Sequence, residues 1–527
     1  MASDHGNGRE TAPNIVLVMA DDMGYSDIGC YGSEIQTPTL DGLAADGQRF
    51  TQFYNCARCC PTRASLLTGQ YPHKAGMGWM TAKDLGTQEY AGDLNDQCVT
   101  IPEVLSEQGY ATYMSGKWHL TRSEYVAADA SKHNWPLQRG FDRFYGTISG
   151  ANNYFSPSDL TRGNDRLDPP EEGYYYTDAI SDEAAQFVRD HDADQADDPF
   201  FLYVAYTAPH WPLNAKAEDI ERYEAQYLAG WDDLRQARYE RLIEEGIIDS
   251  AWPLSLGDSK DWADLDTETK EQMARKMAIY AAQVDAMDQG IGRLVDTLSE
   301  TGQLDDTLFL FLSDNGGCAE GGPYGWDGPM GAEAEAGHDM TPISSYGRYW
   351  ANLSNTPFRR YKHWVHEGGI ATPLIAHWPN GIVSDSDLIT DVGHVVDVMA
   401  TCLDVAEATY PDHRNGTDIR PLDGTSLWPA FDGEGLDRKP LFWEHEANRA
   451  VRTDRWKLVS KGENGRWELY DMDADRTELD DRSAEFPDIV EDLGEQWEAF
   501  AERIGAYPLD GRTHHERMEE TSEHLEH

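Results

Sequence analysis

The feature that most constrains the fold is a set of short apolar runs, each of which stops abruptly at polar side chains. Ile15 to Ala20 stops at Asp21 and Asp22, and Ala111 to Ser115 is followed by Lys117 and His119. Phe200 to Tyr206 leads to His210, and Thr307 to Leu312 leads to Asp314 and Asn315. Continuous apolar runs of strand length are how parallel strands read when helices cover both faces. Between them, Ile101 to Gln108 and Lys276 to Leu298 carry apolar residues at helical spacing, as crossover helices do. The expected fold is therefore α/β, a large mixed, mostly parallel sheet sandwiched by helices. Ligands of open α/β sheets bind beyond the carboxyl ends of the strands, so the polar residues at these four ends are expected to converge.

At 527 residues the chain exceeds the roughly 250–300 residues at which one core stops growing, so two domains are expected. Their predicted extents are 1–439 and 440–527. Within the first, Ile220 to Gly246 is helical in pattern and dense in Glu, Arg and Tyr, which predicts an exposed helix in an insertion at about 213–265. The Gly-rich stretch from Gly316 to Pro342 reads as a loop and is expected to line the substrate entrance. After Lys439, short alternating segments from Ala450 to Val459 and Trp467 to Met472 precede an amphipathic helix from Ile489 to Ile504. These predict a smaller C-terminal antiparallel sheet with one helix.

Composition narrows the function. With 43 Lys and Arg against 95 Asp and Glu, the net charge of −52 repels nucleic acid and anionic membrane surfaces. It also suggests a salt-adapted, halophilic or marine source. No stretch approaches the roughly 20 apolar residues of a membrane span, and the opening MASDHGNGRETAPN lacks an apolar signal core. A cytoplasmic location is expected, or a periplasmic or secreted one where a leader has been removed. Seven Cys is an odd number, so at least one lies outside any intrachain disulfide, and no repeated CxxC pairs suggest a zinc site, which leans towards a reducing compartment. Leu525, Glu526 and His527 read as the start of an expression tag. Oligomeric state is not legible.

The segment CARCCPTRASLLTG, Cys56 to Gly69, sets a Cys, a Pro two residues on and an Arg four residues on before a helix start. It resembles the signature of the sulfatases, members of the alkaline phosphatase superfamily. Register selects Cys59, with Pro61 and Arg63 in step; Cys60 would need a Pro where Thr62 stands. NIVLVMADDMGYSDIGCYG and FLFLSDNGG resemble the metal-binding segments of that family, and GKWHL, APHWPL and YKHWVHEGGIATPLIAHWP extend the resemblance over nearly the whole chain.

The resemblance implies an alkaline-phosphatase-like fold and a Cys59 oxidised to formylglycine by a maturation enzyme, the one protein partner expected. The hydrate of that aldehyde offers one hydroxyl to attack sulfur and a second to expel sulfate. Asp21, Asp22, Asp314 and Asn315 would hold, together with the converted Cys59, a single hard cation, Ca²⁺ in preference to Mg²⁺. Arg63 would steady the formylglycine and Lys117 would contact it near the metal. His119 would take a proton as sulfate leaves, and Asp314 is the candidate base for the aldehyde hydrate. Lys362 and His210 would hold the ester, His210 as proton donor to the leaving oxygen. His73, His363, His366 and His445 are read as structural or substrate-lining. The second cysteine, Cys60, is an opportunity for side reactions of Cys59.

PHKAGMGWMT, AGWDDLRQARYERL and SNTPFRRYKHWVHEGG resemble bacterial arylsulfatases. The expected activity is hydrolysis of sulfate monoesters of phenolic, steroidal or carbohydrate type. The alternatives are a phosphonate or phosphate ester hydrolase of the same superfamily and a binding protein that has lost the reaction. No second set of His and Asp ligands is legible, which disfavours a two-metal phosphatase.

Overall fold

The structure, a computed structural model, describes residues 12–507 apart from 197, 332–333, 335–342 and 385. The opening segment, the tag-like Leu525 to His527 and most of the far end of the Gly316 to Pro342 loop lie outside the described residues. Ten strands form one sheet: β1 Asn14–Asp21, β2 Gln48–Tyr54, β3 Ala111–Lys117, β4 Arg143–Thr147, β5 Leu160–Arg162, β6 Asp165–Arg166, β7 Phe200–Pro209, β8 Thr307–Ser313, β9 Ala371–His377 and β10 Leu388–His394. Their order is β10-β2-β9-β8-β1-β7-β3-β4-β5-β6. β8, β1, β7, β3 and β4 run parallel, whereas β9 is antiparallel to β8 and β2.

Along β1 successive side chains feed two separate cores. Val16, Val18 and Ala20 join one, with Phe187 and Val188 of α2 and Met277 and Tyr280 of α4. Ile15, Leu17 and Met19 join the other, with Leu66 and Leu67 of α1 and Val398 and Met399 of α5. These helices span Cys59–Thr68 (α1), Tyr176–Gln195 (α2), Trp231–Glu244 (α3), Thr267–Glu300 (α4) and Val396–Val405 (α5). Burial on both faces is why the strand reads as an unbroken apolar run.

The expected helix over Ile220 to Gly246 is broken. Ala217–Ile220 and a 3-10 turn at Gln226–Ala229 precede α3. Gly230 causes the break: its φ is +87, and a Cβ there would meet the Trp262 ring at 2.3 Å. Nor is α3 simply exposed, since its Arg238 is fully buried, 2.6 Å from both Asp27 and Glu34.

A second, antiparallel sheet holds β11 Leu441–His445, β12 Asn448–Arg452, β13 Trp456–Ser460 and β14 Trp467–Asp471. The segment from Ala450 to Val459 is thus two strands, joined by a turn in which Thr453 N–H donates to Trp456 O. Helix α6, Pro487–Ile504, packs Leu493, Trp497 and Phe500 on Val451, Leu458 and Leu469. The opposite face, with Trp443, Ala450, Val459 and Tyr470, joins the main core. A buried ion cluster stitches this contact: Lys457 Nζ lies 2.8 Å from Glu367 and from Glu478, and Arg476 Nε lies 2.8 Å from Glu367. All seven cysteines are unpaired and buried, and no described helix is long and apolar enough to cross a membrane.

The end of β10 carries an acid-sensitive residue. His394 is fully buried, its Nδ1 accepts from Val396 N–H at 3.2 Å, and burial pushes its pKa down to about 3. A depressed His contributes stability that is complete above its unfolded pKa of about 6.5 and lost as pH falls towards the folded value. Between pH 6.5 and 4 the expected loss from this group is about 3 kcal/mol. Urea unfolding across that interval checks it: His394→Leu should flatten the pH dependence by that amount.

Candidate active site

Four strand ends and one helix start meet above the sheet. β1 ends in Asp21 and turns at Asp22, whose φ of +65 is unusual for a side-chain-bearing residue. Strain of this kind is typical of functional sites. β8 delivers Asp314 and Asn315, β3 delivers Lys117 and then His119, and β7 is followed by His210. Cys59 opens α1 at its positively polarised end, and Arg63 lies one turn further along.

Hydrogen bonds tie these residues together. Lys117 Nζ donates to Asp21 Oδ2, and Arg63 donates to Asp314 Oδ2 from Nε at 3.1 Å and from Nη2 at 2.8 Å. Asn315 Nδ2 donates to Asp22 Oδ1 at 2.7 Å, and Lys362 Nζ to Asp22 Oδ2 at 2.8 Å. His210 Nε2 stands 3.4 Å from Asp22 Oδ2. Its Nδ1 is 2.6 Å from Trp211 O, a carbonyl that only accepts, so Nδ1 carries the proton. Cys59 interacts electrostatically with Asp21, Asp22 and Asp314. All ten residues expected from sequence therefore gather at one centre, each 7% exposed or less.

Burial and charge divide the carboxylates. Burial raises Asp21 and Asp314, the latter strongly. Burial also opposes ionisation of Asp22, but His210 and Lys362 outweigh it and hold the group below its usual range. Burial lowers His119 and His210 to about 4, which favours the neutral form of both at pH 7. The Cys59 thiol is held well below its usual range, first by the hydrogen bond from Cys60 and then by His119 and Lys117 against burial.

The donor set suits a divalent cation. Asp21 Oδ1 and Asn315 Oδ1 are buried and take no hydrogen bond, and buried polar atoms are rarely left so. Oxygen atoms of Asp21, Asp22, Asp314 and Asn315, offered at the ends of the paired strands β1 and β8, are of the type that suits a hard ion.

Neighbours that sequence did not single out complete the wall. Arg58 pairs with Glu320 at 2.9 Å, and Trp211 Nε1 donates to Glu320 Oε2 at 2.8 Å. Glu320 belongs to the loop expected at the entrance, as does Trp326, whose ring meets Trp211 edge-on at 5.6 Å. Only spatial adjacency reveals the Arg58 pair, since nothing in the local text links the two residues. Of the remaining histidines, His73 bonds Glu444 at 2.7 Å and His363 bonds Glu446 at 2.9 Å. Donor atoms of His363, His445 and Glu446 lie within 4.8 Å of one another. Glu446 is already engaged there, by His363 and by Trp79 Nε1 at 2.8 Å.

Comparison with known proteins points one way. Residues 13–408 match the family model described as Sulfatase, and residues 359–502 match that of the N-sulphoglucosamine sulphohydrolase C-terminal region. The chain is 33% identical to an uncharacterized sulfatase of Schizosaccharomyces pombe over 94% of each chain. It is also 33% identical to an arylsulfatase of Klebsiella aerogenes over 80% of this chain and 92% of that one. Among solved structures, Ps i-CgsB in complex with k-i-k-neocarrahexaose aligns with a TM-score of 0.69 at 27% identity, covering 95% of this chain and 96% of that one.

Proposed function

The chain belongs to the sulfatase family and is a sulfuric ester hydrolase, and from that premise we propose that it cleaves sulfate monoesters of the aryl type at a Cys59 matured to formylglycine, beside one Ca²⁺ held by Asp21, Asp22, Asp314 and Asn315. The observation that carries this reading is the convergence of those four oxygen ligands with Cys59, Arg63, Lys117 and Lys362. The ion, when bound, would stabilise negative charge on the nucleophile and on the sulfuryl oxygens.

The chain's own residues then divide the work. Converted Cys59 supplies the attacking hydroxyl. Arg63, locked on Asp314, keeps that carboxylate and the start of α1 in register. Lys117 and Lys362 place ammonium groups where charge spreads over the transferring group. His210 must carry a second proton, at Nε2, to donate to the leaving oxygen, and Asp22 at 3.4 Å favours that form. His119, neutral through burial, is suited to accept a proton as sulfate departs.

The position of His119 gives a specific test. A Cβ at Gly150 would meet Cε1 and Nε2 of His119 at 2.3 Å, and Gly150 has no left-handed φ that Ala would strain. Gly150→Ala should therefore displace the imidazole alone, lowering kcat for an aryl sulfate by about 10- to 100-fold with a much smaller change in KM. Steady-state kinetics reads both.

A carbohydrate sulfate is the second reading, favoured by the similarity to a chain solved with an oligosaccharide. The seven unpaired thiols support a cytoplasmic setting, and a formylglycine-generating enzyme is the partner that maturation requires. Kinetics on matched aryl sulfate and aryl phosphonate esters tests the reaction class. The expected result is a higher kcat/KM for the sulfate; phosphonate turnover greater by orders of magnitude would overturn it.

A further inference from the structure

Beside the oxygen ligands lies a cluster of opposite chemistry. Cys59 and Cys60, the first two residues of α1, and His119, just after β3, bring two Sγ atoms and an imidazole nitrogen within 4.8 Å of one another, all buried. Cys60 Sγ is 3.3 Å from His119 Nε2. Sulfur and nitrogen bound to one tetrahedral zinc, at about 2.3 Å and 2.0–2.1 Å, stand roughly 3.5 Å apart, so the spacing is already that of a ligand pair. The residue is also held in place: the His119 backbone N–H donates to Ile148 O at 3.1 Å, and Gly150 lies against the imidazole. Thiolate and imidazole donors select borderline-soft ions, whereas the neighbouring carboxylates select hard ones.

We propose that the chain whose Cys59 still carries its sulfur binds one Zn²⁺ through Cys59 Sγ, Cys60 Sγ and His119, with solvent as fourth ligand. Any proton that either sulfur still carries passes to solvent on binding, and nothing is oxidised or reduced. The site is a property of the unconverted protein, because replacing Sγ of Cys59 leaves only two of the three donors. Cys60, which the hydrolytic reaction does not use, thereby acquires a role: the immature form is a zinc-binding species distinct from the mature enzyme. This holds whichever ester is the substrate.

The test uses full-length protein made in a host without formylglycine-generating machinery, with Cys59 verified as thiol by mass and Ca²⁺ kept in excess. Co²⁺ is the probe, displaced afterwards by Zn²⁺. One equivalent should bind with a thiolate-to-cobalt charge-transfer band. In Cys60→Ser that band should weaken and affinity fall by more than the roughly 10- to 100-fold that loss of even an outer-shell partner costs. Should the serine variant fold poorly, wild-type protein with Cys59 converted serves instead and should lack the band. A Co²⁺ spectrum without thiolate character in the immature protein, or undiminished binding in Cys60→Ser or in the converted enzyme, would overturn the proposal.

Discussion

Cys59→Ala is expected to lower kcat for an aryl sulfate by at least ~10⁴-fold, in the range that removal of a covalent nucleophile costs other hydrolases. The expectation follows from position: Cys59 is 1% exposed, opens α1, and interacts with Lys117, His119 and three carboxylates. Removal of one sulfur from a buried site costs little in packing, so the melting temperature should move by only a few degrees (about 1–2 kcal/mol). Stopped activity in a protein that melts normally separates lost chemistry from lost fold. A variant retaining more than a tenth of wild-type turnover would sink the assignment of Cys59.

The second large effect concerns stability. Glu367 is fully buried, accepts from Tyr54 at 2.9 Å, and sits 2.8 Å from Lys457 and from Arg476. Glu367→Gln keeps the shape and removes the charge, leaving Lys457 and Arg476 with only Glu478 to balance them. Breaking such a buried network costs about 3–5 kcal/mol. Linkage gives a similar size. Burial opposes ionisation of Glu367, but Lys457 and Arg476 hold its pKa down to about 2. A depressed carboxylate contributes stability that is present above its unfolded pKa and lost as pH falls through its folded one, here about 3 kcal/mol. Urea unfolding at pH 7 should show the deficit, and the deficit should shrink as pH approaches 3.

The sequence was most readable where one physical cause dominated. β1, β3, β7 and β8 are buried on both faces, so their apolar runs and polar ends stood out and led to the catalytic cluster. β2, with the text QRFTQFY, was not recognised as a strand because polar residues interrupt it; its Arg49 is satisfied by Glu245 and by Cys30 O across the fold. The reversed direction of β9 depends on pairing with β8 and β2, which no local pattern encodes. The break at Gly230 was hidden because the glycine's left-handed turn is imposed by a distant Trp262. In the site, the carboxylates and amide at the strand ends and the signature residues were legible through local motifs. Arg58, Glu320 and the cluster of Cys60 with His119 were not, because each depends on groups far apart in the chain.

The peptide mass at position 59 bears most directly on this mechanism. Trypsin cleaves after Arg58 and after Arg63, isolating Cys59 to Arg63 from protein made with formylglycine-generating machinery present. The account predicts a peptide lightened by exchange of the CH₂SH side chain for CHO, in proportion to specific activity across preparations. Fully active enzyme whose peptide carries only the intact thiol would contradict it.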